Sequence, residues 1–151
     1  MIRADFINEL CSAFGMNPEN VFALGQEHGW LEYEDELFCN EPVSRKQEAR
    51  IIHMFILKEY GIKDLPDISN AEVLRDLYDC RVCANHVAQV YLRGIMDAKD
   101  IAVNGEFLIF DLDATDDMSV IRETINRTAE MFKNENSLAS KGLYGEETPG
   151  N

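Results

Sequence analysis

Apolar residues recur along this chain at helical spacing, in blocks separated by glycine. Phe6, Ile7, Leu10, Cys11 and Phe14 make one stripe, and Ile51, Ile52, Phe55 and Ile56 a second. Val82, Val87, Val90 and Tyr91 make a third, and Met118, Ile121, Ile125 and Phe132 a fourth. Such spacing puts each set on one side of a helix. The stripes predict helices near 2–14, 18–28, 45–60, 70–78, 81–93 and 116–133, and hence a mainly α fold of helical repeats.

The boundaries support this. Gly15-Met16, Gly29-Trp30, Gly61-Ile62 and Gly94-Ile95 each read as a helix stop: glycine takes the left-handed position and the next apolar residue folds back on the last turn. Their recurrence suggests helix-turn units repeated with variation. Asn17-Pro18 reads as a helix start, Ser44-Arg45-Lys46-Gln47 and Ser69-Asn70-Ala71-Glu72 as capping boxes, and Thr115 as the cap of the last helix. Phe107-Leu108-Ile109-Phe110 is short and apolar, an extended piece that could pair with another loop. Residues 1–133 are expected to form one domain and 134–151 a polar, flexible tail.

Charge narrows the partners. Of 151 residues, 28 are Asp or Glu and 14 are Lys or Arg, giving a net charge of −14. That field repels nucleic-acid phosphates and anionic lipid headgroups, so neither is the expected partner. No apolar run reaches the roughly 20 residues that span a bilayer. The start, Met1 to Leu10, lacks the apolar core of a secretory signal. The expectation is a cytoplasmic protein if the chain is complete, or a cell-surface one if it is a fragment. Cys11, Cys39, Cys80 and Cys83 follow no disulfide framework of small secreted domains and are expected to be reduced thiols.

Two helix starts share a motif. Ile2-Arg3-Ala4-Asp5-Phe6 and Val43-Ser44-Arg45-Lys46-Gln47 each carry an arginine at the beginning of a helix. Before the second lies Phe22-Ala23-Leu24-Gly25 leading to Gly29-Trp30-Leu31, and later Val82 to Val87 leads to Gly94-Ile95-Met96, with loops at 32–43 and 97–114. This resembles the repeats of S-layer homology domains, whose second helix opens on Thr-Arg-Ala-Glu, over roughly residues 2–133. The resemblance implies a helical, non-catalytic bacterial binding module that attaches to an anionic cell-wall polysaccharide. It implies Arg3 and Arg45 as anion contacts, with Ser44 and Trp30 beside them. A guanidinium near a helix N-terminus suits such a ligand. At the third start, Thr115-Asp116-Asp117-Met118, Asp116 takes the place of the arginine. The alternative is an intracellular protein-protein interaction module on the same scaffold, which needs no arginine pocket and should expose an apolar patch.

Two other groupings suggest chemistry. Asp111-Leu112-Asp113-Ala114-Thr115 after an apolar run resembles the nucleophile motif of haloacid-dehalogenase-like phosphatases, but the parallel sheet that motif needs is missing from the pattern. The same residues fall on early positions of a calcium loop, with Asp116 and Arg122 where glycine and glutamate belong. Cys80, Cys83 and His86 could contribute to zinc or to a redox dithiol, yet no second ligand pair and no thioredoxin-like strand pattern accompany them. They read as a helix start with Cys83 in a core slot. No cofactor, metal or catalytic residue is therefore expected.

Overall fold

The computed structural model describes residues 1–101 and 107–135. Six helices carry the fold: α1 (Arg3–Ala13), α2 (Val21–His28), α3 (Tyr33–Leu37), α4 (Arg45–Tyr60), α5 (Ala84–Leu92) and α6 (Met118–Phe132). Two short strands, β1 (Asp100–Ile101) and β2 (Leu108–Ile109), pair antiparallel. The fold is mainly α, with extended structure limited to very short pieces. The extended segment expected at Phe107–Phe110 is thus present in part. The tail expected at 134–151 lies almost wholly outside the described residues.

All four predicted glycine stops are found. Gly15, Gly29, Gly61 and Gly94 have φ between 68° and 87°. At Gly61 the amide of Ile62 reaches back to Ile56 O, which closes α4. The Ser44 capping box also forms: Gln47 N donates to Ser44 Oγ, and Ser44 N donates to Gln47 Oε1.

Other boundaries differ. The cap of α2 is Asn20, which accepts from Ala23 N, so the helix starts after the Asn17-Pro18 pair. The helix expected at 70–78 is two 3-10 turns, Ser69–Val73 and Leu77–Asp79, and Ser69 makes no capping box. Leu74, between them, is extended and bridges to Leu108, which stops a continuous helix. The last helix begins at Met118 with Asp117, not Thr115, at its cap position.

The backbone shows how the units join. Arg3 N and Ala4 N donate to Glu41 O and Cys39 O, just ahead of α4. Arg45 N and Lys46 N donate in the same way to Ala114 O and Leu112 O, just ahead of α6. In both cases the start of one long helix is satisfied by the loop leading to the next, so its orphan amides need no water. Arg3, Arg45 and Met118 are each the first residue of a helix, so Met118, rather than Asp116, stands at the start of α6.

The core is continuous. α4 packs on α5 and α6, and α6 also packs on α1. Phe55 sits at its centre, edge-on to Trp30 at 4.8 Å and to Phe14 at 4.9 Å between ring centroids. The fourth residues of these three helices, Phe6, Glu48 and Ile121, are all fully buried. Two are apolar, as burial there requires; Glu48 is the exception.

Candidate functional site

Arg45 is placed by the first turn of α4 and by the loop that runs from α5 to α6. Its guanidinium donates to Asp116 Oδ2, to Phe110 O at 2.7 Å and to Asp97 O, and it stacks 4.4 Å from the centroid of Phe110. Lys99 Nζ takes the other oxygen of Asp116 at 3.1 Å. Arg45 is 3% exposed and Asp116 6%. Arg3 is equally buried and donates to Asp35 Oδ1 at 3.0 Å, while Arg50 grips the same carboxylate with both terminal nitrogens. Burial works against the charge of Arg50, but its bonds to Asp35 outweigh that and raise its pKa.

The four sequence candidates do not converge on one site. Arg3 and Arg45 belong to separate networks. Ser44 spends its hydroxyl on the capping box. Trp30 packs on Phe55 and donates its indole N–H to Glu59 Oε2 at 2.8 Å. Phe55 and Glu59 lie far down α4 from Arg45, roughly 15–20 Å at 1.5 Å per residue. Glu59 also faces His28 Nδ1.

Glu48 lacks a partner. Neither carboxylate oxygen has a hydrogen bond among the described residues. Burial, and after it the nearby Asp116 charge, pushes its pKa up to about 8, so the carboxyl is mostly neutral at pH 7.

Beside the start of α5 lies a groove of about 240 Å³, walled by Glu32 and Glu34 on one side, Lys46 and Arg50 on another, and Cys83 and His86 on the third. Cys83 is bonded to Cys80, so these two cysteines are not the reduced thiols expected. Nor does Cys83 fill a core slot: it is the half-buried cap residue of α5, and the neighbouring Ala84 is the buried one. Cys11 and Cys39 are free, and burial pushes the Cys11 thiol up to about 12.

A chain of titratable groups ends at His86. Asp64 Oδ1 is 2.6 Å from His53 Nε2, and His53 Nδ1 is 2.7 Å from His86 Nδ1. Burial raises the pKa of Asp64, but bonds from His53 and Asn85 overcome this and lower it, so Asp64 is the acceptor. His53 gives its Nε2–H to Asp64, and the two Nδ1 atoms of His53 and His86 share one hydrogen between them. Burial and the charges of His53 and Arg50 lower the His86 pKa to about 4.

Asp111 and Asp113 are exposed in a loop after the two-residue β2, and Asp113 pairs with Lys46 at 2.7 Å. Asp111 has a left-handed φ of 67°, and its amide donates to Asp76. The two-stranded setting is not the parallel sheet that a phosphatase nucleophile requires.

Val82, on the wall of the groove, is 85% exposed, and a run of exposed apolar residues nearby belongs to α3, an element with no apolar stripe in the sequence to announce it. Tyr33 is 68% exposed and Leu37, one turn on, 59%; Phe38 follows at 40%. Exposed Glu32, Glu34, Glu36 and Glu41 surround them in the chain. No helix among the described residues is long and apolar enough to cross a membrane. No family model, curated protein or solved structure matches this chain.

Proposed function

We propose that the chain is a binding module, on a scaffold resembling S-layer homology repeats, that engages a protein partner through α3. One contrast carries this reading. The guanidinium of Arg45 is occupied by internal acceptors and that of Arg3, whose buried Nε lacks a bond among the described residues, is paired with Asp35, whereas Tyr33, Leu37 and Phe38 are offered to solvent within a run of glutamates. An anionic wall glycan would have to displace Asp116 from Arg45 and would meet Asp97 and Glu123 in the adjoining cleft. An apolar patch ringed by acids suits the opposite chemistry, an amphipathic segment bearing leucine-type side chains and lysines.

The test is binding of a synthetic leucine–lysine amphipathic helix, followed by calorimetry, alongside retention on purified wall polymer. Binding of the peptide that weakens about ten-fold or more in Tyr33→Ser/Leu37→Asp, a change of roughly 1.4 kcal/mol, is the expected result. Equal peptide affinity in that variant, or wall retention that depends on Arg45, would overturn it.

A further inference from the structure

We propose that the Cys80–Cys83 disulfide is a redox-active centre that exchanges with a small zwitterionic thiol of the cysteine-peptide class, admitted by the groove at the start of α5. The site shares Glu32 and Glu34 with the α3 surface but does not rest on the reading of that surface. Four features converge there. The two cysteines form a C-x-x-C pair closed by a bond. Cys83, rather than Cys80, lines the groove, so it is the sulfur a thiolate reaches first. Cys83 also stands at the cap position of a nine-residue helix, where free amides stabilise a thiolate. His86, one turn on, lines the same groove with its Nδ1 against His53 Nδ1.

The groove also defines the thiol. Lys46 lines the groove with a positive charge that, among the described residues, only the exposed Asp113 shares, Arg50 stays held by Asp35, and Glu32 and Glu34 offer negative charge to an ammonium. A volume of about 240 Å³ admits a small molecule and not a folded chain.

The exchange balances without another reagent. The first thiol, its proton already released to water, attacks Cys83 Sγ as the thiolate. The Cys80–Cys83 bond breaks, a mixed disulfide forms on Cys83, and Cys80 Sγ leaves with the electron pair and takes up a proton from water. A second thiolate then attacks the sulfur of the bound thiol. The small disulfide departs and Cys83 leaves as a thiolate at the helix start. Two small thiols are oxidised to one disulfide, and the protein disulfide is reduced to two thiols. The reverse sequence reoxidises it.

The probe is glutathione, reduced and oxidised, with the full chain, and the readout is alkylation followed by mass spectrometry that assigns the modified cysteine. The folded protein is expected to open the Cys80–Cys83 bond in reduced glutathione. Cys80→Ser should trap glutathione on Cys83 at least about ten-fold faster than Cys39 does in the Cys80→Ser/Cys83→Ser chain. Circular dichroism on each variant establishes that it is folded. Opening only in denaturant, or trapping no faster than at Cys39, would overturn the proposal.

Discussion

Arg45 and Asp116, 71 residues apart in the chain, close a buried ion pair that fastens the start of α4 to the approach of α6. Removing one partner leaves the other charged and buried. Arg45→Met should therefore cost about 3–5 kcal/mol in urea unfolding. Arg45→Met/Asp116→Leu should cost less than the single substitution, because no orphan charge remains. A double variant as unstable as the sum of the two singles would contradict the pairing.

Stability should depend on pH through two groups with opposite signs. Glu48 is raised from 4.5 to about 8, so the stability it contributes is complete below 4.5 and is lost as pH rises through 8. His86 is lowered from 6.5 to about 4, so its contribution is complete above 6.5 and is lost as pH falls through 4. Between 4.5 and 6.5 the two slopes oppose each other. From 6.5 to 8 Glu48 acts alone, and stability should fall by about 1.4 kcal/mol per pH unit. Glu48→Leu should flatten that limb. Unfolding free energies measured across pH 4–9 decide the matter; an unchanged alkaline slope in Glu48→Leu would exclude Glu48 as its source.

Gly25 marks a close approach. A Cβ there would lie 2.9 Å from Leu31 Cβ and collide with the rest of that side chain. Leu31 is buried, and Gly25 O accepts from Gly29, Trp30 and Leu31, so neither side yields easily. Gly25→Ala should destabilise by about 1–3 kcal/mol in thermal or urea unfolding, with partial recovery in Gly25→Ala/Leu31→Ala.

Trp30 joins the α2 stop to the end of α4 through Glu59. Trp30→Phe keeps an aromatic contact with Phe55 but takes a donor from a carboxylate that is 2% exposed. A loss of about 1–3 kcal/mol is expected by urea unfolding. Trp30→Phe/Glu59→Gln should lose less than the two singles together.

The helices and their ends were legible wherever a local rule applied. The stripes of α1 and α4 lie within the buried core, as do Val87 and Val90 of α5 and Ile121 and Ile125 of α6, whereas Val82 and Met118, outside or at the start of their helices, are exposed. The four glycine stops follow from a backbone conformation that disfavours other residues. α3 was not legible, because its five residues bury only Asp35 and bear no stripe. The 3-10 turns after Ser69 replaced a helix because Leu74 is drawn into a bridge with Leu108, a partner far along the chain. The last helix starts at Met118, later than its sequence suggests, for a related reason. Asp116 resembles a helix start in sequence, yet it is held outside α6 by Arg45 and Lys99.

The candidate sites divide in the same way. Ser44 could be assigned from four consecutive residues, since capping is local. Whether Arg3 and Arg45 meet a ligand or an internal acid depends on Asp35 and Asp116, which only folding brings to them. The Asp64–His53–His86 chain and its place beside Cys83 left no mark in spacing. What the sequence determined by itself was helical periodicity, glycine stops and an acidic surface, all fixed by neighbours within a turn or by composition. Tertiary structure alone decided which charges are neutralised inside, which apolar residues stay in water, and which two cysteines join. Those outcomes depend on burial and on contacts between residues distant in the chain, which no local pattern encodes.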